Sequence, residues 1–315
     1  MTLHDHIETY IAYRRSLGLR CRSDAKVLRS YARTLGSVRI AEITAASVAE
    51  FIAGQGALST SWIFKFKILS GFYRYAIGRG IVSNSPLPVR VPKLPSPFVP
   101  YIYTIEELQR LIGATDALAA PQSPLQALTM RTLIMLLYGT GMRISEALSL
   151  TLQDVDMHER ILTVRDTKFF KSRLLPIGPR LTTALANYHA HRAAYPLPAG
   201  NASAFFASRT GNRLYYENVA KLFRRARRLA CIERDDRARY QPRLHDIRHS
   251  AVMHRVVAWY RAGADVQRLL PHLATYFGHV NLASTQRYLS MTPELLHEAS
   301  MRFERYAESE VCHAR

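Results

Sequence analysis

The sequence predicts a mainly α protein with a small β-sheet, divided between two domains. Three observations carry this reading. Apolar residues recur at helical spacing through the first 85 or so residues. A proline-rich stretch, PLPVRVPKLPSPFVP at 86–100, then blocks both helix and central strand, and so reads as a semi-rigid extended linker. Beyond it, two short strand-like runs interrupt a second series of helical patterns. The expected organisation is a helical domain over 1–85, a linker over 86–100 and a larger α+β domain over 101–315.

The elements follow in order. Leu3, Ile7, Tyr10 and Ile11 fall on one helical face, and Gly18 supplies a stop. Ser23 and Thr44 are suited to cap the next two helices. A longer helix runs from Ser59 to Gly80, with Trp62, Phe66, Leu69, Phe72, Tyr73 and Ala76 along it. Its other face carries Lys65, Lys67, Arg74 and Arg79. The aromatics read as core, and the basic face suits a DNA groove. After the linker, Thr104-Ile105-Glu106-Glu107 is a capping box that opens a helix. Leu128 to Leu137 is apolar nearly all round, as a central buried helix should be. ILTVRD at 161–166 and RLLPI at 173–177 read as strands joined by a basic turn, with AFFAS at 204–208 as a further short strand. Helices are expected near 179–194, 215–231, 245–262, 265–276 and 282–289.

Composition narrows the function. The chain has 315 residues, 48% of them hydrophobic, enough for two cores and against disorder. Its formal charge is +19, which points to a polyanionic partner, most simply nucleic acid. Residues 1–95 hold 14 Lys or Arg against 5 Asp or Glu, and the remainder 29 against 19, so both parts are basic. The start at Met1 lacks the basic, apolar and small-residue pattern of a signal peptide. The longest apolar run, LIMLLY at 133–138, is too short to span a bilayer. Cys21, Cys231 and Cys312 lie far apart, against a disulfide framework or a Cys-rich zinc site. A soluble cytoplasmic protein with no membrane partner is expected.

Six polar residues of the second domain form one chemical set. Arg143 lies in GTGMRISEAL, where Gly139 and Gly141 allow a tight turn and Arg143 opens the next helix. An arginine there presents a planar fork with a helix dipole behind it, a good phosphate clamp. Glu146, one turn on, is placed to hold the guanidinium; taken alone, the pair also reads as an ordinary surface ion pair. Lys168 stands in the turn TKFFKSR with Lys171 and Arg173, both of which are expected to contact DNA. A lysine on such a hairpin can reach a DNA minor groove and protonate a departing oxygen; the other reading is a solvated basic turn. His245 and Arg248 stand three apart in LHDIRH, on one helical face. Metal ligation by His245 and His249 is a rival, but the pattern lacks an intervening Glu and a third ligand, so no metal is expected. His279 follows Gly278, and Tyr288 falls on the next expected helix, where packing is the other reading for a tyrosine. Together these cations, imidazoles, lysine and hydroxyl suffice to break a phosphodiester without a cofactor.

This ordered set resembles the tyrosine recombinases, the phage-integrase family. Arg143, Lys168, His245, Arg248, His279 and Tyr288 match in order the family's arginine, hairpin lysine, His-x-x-Arg, histidine and terminal tyrosine. The resemblance covers nearly the whole chain: a helical core-binding domain, a linker and a catalytic domain that together form a DNA clamp. It implies site-specific cleavage and rejoining of double-stranded DNA through a 3′-phosphotyrosyl intermediate and a Holliday junction. Tyr288 would be the nucleophile. Arg143, Arg248 and His279 would stabilise the phosphate, Lys168 would be the general acid, His245 would move the tyrosine proton or bond the phosphate, and Glu146 would orient Arg143. The resemblance further implies a homotetramer on two duplexes, with or without partner recombinases. Residues 293–306, bearing Leu295, Leu296, Ala299 and Phe303, would form a C-terminal helix that docks on a neighbouring subunit. Two departures stand out: Phe169-Phe170 replaces a glycine-rich hairpin tip, leaving Lys171 as a second candidate acid, and the Arg248–His279 interval is long and contains Pro271. With no room for an arm-binding domain, the chain resembles the short Xer-like and mobile-element members. Alternatives are a non-catalytic accessory DNA binder and a type IB topoisomerase-like enzyme.

Overall fold

A computed structural model describes residues 1–56, 58–93, 99–165, 172–236, 238, 240–278, 297, 298, 300 and 301. The chain divides into two compact units, Met1–Phe98 and Val99–Arg315.

The first unit is built from four helices: α1 (Leu3–Ser16), α2 (Arg22–Leu35), α3 (Ala45–Ala53) and α4 (Thr60–Gly78). Leu3, Ile7, Tyr10 and Ile11, the expected face of α1, are all buried, together with Leu28 and Tyr31 of α2, Val48 and Ile52 of α3, and Leu69, Phe72, Tyr73 and Ala76 of α4. The Tyr31 and Tyr73 hydroxyls meet at 2.7 Å inside this core. Burial pushes both phenols up, Tyr73 to about 12, so the pair stays neutral. Thr44 caps α3 and Ser59 caps α4, each hydroxyl accepting a backbone N–H. Ser23 does not cap α2. The chain turns through Cys21 in a left-handed conformation and is already helical at Arg22. A cap requires extended backbone, which Ser23 does not have.

In the second unit, α5 (Ile105–Gly113) opens with the expected capping box: the Thr104 hydroxyl accepts from the Glu107 amide, and the Glu107 carboxylate from the Thr104 amide. The apolar run becomes α6 (Gln126–Thr140), whose Met130, Leu133, Ile134, Leu136 and Leu137 are buried. A one-turn helix, α7 (Ile144–Ala147), follows. Strands β1 (Val155–Asp156), β2 (Ile161–Val164) and β3 (Arg173–Pro176) form an antiparallel sheet in that order, with Val155 opposite Leu162 and Val164 opposite Arg173. Alternation along β2 buries Leu162 and Val164, as a one-sided strand requires. β1 is too short to have left a pattern in the sequence.

Four more helices complete the described unit: α8 (Pro179–Ala193), α9 (Tyr216–Leu229), α10 (Asp246–Arg261) and α11 (Val266–Phe277). α6 lies centrally, packed by α8 and α10. The run 204–208 is not a strand. Ala204 bridges Thr151 and Ala207 bridges Arg213, two different segments, so no ladder extends. Phe205 and Phe206 instead bury their rings against Tyr188. α11 continues through Pro271, at its sixth residue. Its apolar face, Val266, Leu270, Leu273 and Phe277, packs on Val252, Val256 and Val257 of α10. The expected helix at 282–289 lies outside the described residues. Of the expected C-terminal helix, only His297, Glu298, Ser300 and Met301 are described, all helical. No helix among the described residues is long and apolar enough to cross a membrane.

Candidate active site

The site is assembled where α6, α7, β3 and α11 come together. Gly141 ends α6 in a left-handed conformation, its N–H donating to the Leu137 carbonyl at 2.8 Å. Only glycine fits here. The φ of +58° disfavours any side chain, and a Cβ would lie 1.5 Å from the Phe277 ring. The turn this permits brings Arg143 to the start of α7 two residues later.

Arg143 is held by Glu146. The carboxylate accepts the Arg143 backbone N–H at 3.0 Å and its Nη1 at 2.8 Å. Because α7 has only four residues, its dipole is weak, and the Glu146 carboxylate rather than the helix end fixes the guanidinium. Glu146 also accepts from Arg173: Nη2 approaches Oε2 at 2.7 Å and Nη1 approaches Oε1 at 3.3 Å. One buried carboxylate therefore joins two arginines. Burial opposes its ionisation, but the hydrogen bonds from Arg173 and Arg143 more than offset this and hold it below the usual carboxylate range.

The C-terminal end of α11 collects the same guanidiniums. Helix ends leave carbonyls without helical partners, and these carry partial negative charge. Arg173 Nε donates to the Tyr276 carbonyl at 3.3 Å, Arg248 Nη2 to Phe277 at 2.8 Å and Arg143 Nη2 to Gly278 at 3.1 Å. Three successive carbonyls thus take three arginines from three different elements. Arg248 is 3% exposed, lies over the Phe277 ring and donates through Nη1 to the Gly141 carbonyl at 2.6 Å, tying the ends of α6 and α11 together. Gly278, at φ +67°, caps α11, and a Cβ there would lie 2.6 Å from Arg173 Nη1. The next residue in the chain is His279.

His245 immediately precedes α10, edge-on to the His249 ring at 4.9 Å. The residue is exposed to solvent by area. Partial desolvation, then the charge of Arg248, pushes its pKa below the usual histidine value, favouring neutral imidazole. Asp246 is held in an ion pair with Arg243 at 2.9 Å. Among the described residues, no three His, Cys, Asp or Glu are grouped to hold a metal ion.

The structure thus brings together Arg143, Glu146, Arg173 and Arg248, with His245 at the head of the helix bearing Arg248. Lys168, Lys171, His279 and Tyr288 lie outside the described residues. Lys67 and Arg74 on α4, and Arg79 just after it, are exposed, whereas Lys65 donates to the Phe51 carbonyl and covers the Phe51 ring. The carbonyls of residues 276–278 escaped the sequence reading because a carbonyl has no residue signature; the glycines at 141 and 278 were the only visible trace.

Residues 103–294 match the model of the phage integrase family. The chain belongs to that family. This tyrosine recombinase is 34% identical over 309 residues to the integrase/recombinase y4rB of Sinorhizobium fredii, covering 96% of this chain and 98% of that one. It is 30% identical over 285 residues to the tyrosine recombinase XerD of Mycobacterium tuberculosis, covering 86% of each. Its fold is shared with the integrase of the Tn1549 transposon, solved in complex with transposon right end DNA, at a TM-score of 0.70 and 18% identity, over 98% of this chain and 100% of that one. The recombinase is accordingly of the Xer-like or mobile-element type.

Proposed function

We propose that this recombinase cuts and rejoins double-stranded DNA at specific sites through a 3′-phosphotyrosyl intermediate, in the service of a mobile element. The observation that carries the reading is the convergence of Arg143 and Arg248 on the end of α11, one residue before His279. Two guanidiniums anchored on rigid elements are a preorganised receptor for a phosphate, and need little reorganisation as charge develops on it.

In this mechanism the Tyr288 hydroxyl oxygen attacks the scissile phosphorus in line, and the bond from phosphorus to the 5′ oxygen breaks. His245, neutral at pH 7, accepts the tyrosine proton directly or through water. Lys168 gives a proton to the departing 5′ oxygen, with Lys171 as the second candidate. Arg143, Arg248 and His279 neutralise the non-bridging oxygens. The 5′ hydroxyl of another strand then reverses these steps, so the energy of the broken bond is kept in the protein–DNA link. Strand exchange in pairs gives a Holliday junction, held by a tetramer in which residues 293–306 dock on a neighbour. The helical domain over 1–85, with Lys67 and Arg74 exposed on α4 and Arg79 exposed just after it, grips the duplex, and the stretch 86–100 links it to the catalytic domain. The sequence similarity to an integrase/recombinase and the fold shared with a transposon integrase support the mobile-element role.

The test is a plasmid bearing two copies of the DNA that flanks the gene. Purified protein should join the copies into recombinant circles. Relaxation of supercoils without joining would assign a topoisomerase-like activity instead, and binding without either product would assign an accessory role.

A further inference from the structure

The basic run TKFFKSR leads to the expectation that Arg173 touches DNA. Its surroundings argue otherwise. Its side chain is only 13% exposed, and it donates to both oxygens of the Glu146 carboxylate and to the Tyr276 carbonyl. Gly278 approaches so closely that no side chain fits between them. Nε, Nη1 and Nη2 thus each donate to an acceptor of the protein itself, and two of the three to the carboxylate that also holds Arg143.

Resting on the catalytic reading above, we propose that Arg173 is a positioning residue that sets Arg143 through the carboxylate they share. The geometry gives the route. Glu146 is the sole carboxylate hydrogen-bonded to either arginine among the described residues, and it is buried. Without Arg173, half of the compensation for that buried charge is lost, and the carboxylate is free to follow Arg143 or to take up a proton. Either change moves the Arg143 fork relative to the Gly278 carbonyl it also holds. Displacing a catalytic group by about 1 Å can cost about 100-fold in rate. Arg173 also begins β3, opposite Val164, the pair nearest the connection that contains Lys168. The arginine clamp and the strand that leads out of the lysine turn therefore share one anchor.

The experiment uses the full chain and a duplex carrying the site to which wild-type protein becomes covalently attached. DNA affinity is measured across salt, and single-turnover cleavage at saturating protein, for Arg173→Gln and Arg173→Lys. Positioning predicts cleavage slowed by about 100-fold with affinity and salt slope unchanged. It also predicts that lysine fails to restore the rate, because one ammonium cannot reproduce the planar fork. On a duplex with a methylphosphonate at the scissile position the defect should shrink, since an uncharged oxygen asks less of Arg143. A phosphate contact would instead give normal cleavage at saturation and a log–log salt slope shallower by about 0.9, largely restored by lysine, and would overturn the proposal. A defect equal on both substrates would mark a merely structural residue and would overturn it too. Should Arg173→Gln fail to fold, Arg173→Lys decides by the same readouts. Wild-type protein that never attaches to DNA would remove the catalytic reading itself, an outcome distinct from all of these.

Discussion

The ring of Phe277 occupies the place that a side chain at residue 141 would need: a Cβ on Gly141 would lie 1.5 Å from it. The ends of α6 and α11 meet here without intervening atoms, which lets one Arg248 guanidinium reach the carbonyls of both. Gly141→Ala should therefore destabilise the second unit by roughly 2–5 kcal/mol, from the left-handed backbone together with overpacking. Urea unfolding measures this. Adding Phe277→Leu should recover only part of the loss, because the φ of Gly141 remains unsuited to alanine.

Glu146→Gln leaves two arginines facing each other across a neutral amide. Removing one partner of a buried ion pair costs about 3–5 kcal/mol, and a loss of that order is expected in denaturant unfolding. The folded carboxyl titrates below its unfolded value of 4.5. It therefore contributes stability that is present above about pH 4.5 and is lost as the pH falls through its lower folded value. The glutamine variant should show a flatter acid limb than wild type.

His245 should be neutral in the free protein at pH 7. Its pKa is pushed below 6.5 by partial desolvation and then by Arg248. An NMR titration of its ring protons should show a midpoint below that value. Arg248→Gln should raise the midpoint, because a neighbouring positive charge is removed. A midpoint above 6.5 in the wild-type protein would take away the basis for His245 as proton acceptor.

DNA binding should weaken steeply with salt, since the formal charge of +19 calls for counterion release at many phosphates. Each phosphate neutralised adds about 0.9 to the slope of log affinity against log salt. Lys67→Ala and Arg74→Ala, both exposed on α4, should each lower that slope by about one unit without changing cleavage at saturation. A flat response in the wild-type chain would speak against a DNA clamp.

Much of the helical framework was legible because it rests on local signals. The α1 face, the Thr44 and Ser59 caps, the Thr104 capping box and the apolar run of α6 are each written within a few residues. The strand pair was legible as two short apolar runs joined by a basic one, and β1 was not, because two residues cannot show a period. The Ser23 cap failed because a left-handed residue at Cys21, which no propensity announces, started α2 earlier. Arg143, Glu146, His245 and Arg248 stood out by residue type and order. The Glu146 hold on Arg143 was legible too; the rest of the anchoring was not, since it depends on the Tyr276, Phe277 and Gly278 carbonyls and on Arg173 turning inward. The long interval before His279, with its proline, reads in the structure as the helix pair that presents those carbonyls.

The measurement closest to the central claim is covalent capture. Tagged protein would be recovered under denaturing conditions, without crosslinker, from cells carrying its native locus, and any attached DNA sequenced beside a Tyr288→Phe control. DNA is expected on the wild type alone, joined through Tyr288 at a single recurrent site, while the phenylalanine variant still binds that site under native conditions. Equal attachment in the Tyr288→Phe variant would contradict this claim and would require a different nucleophile.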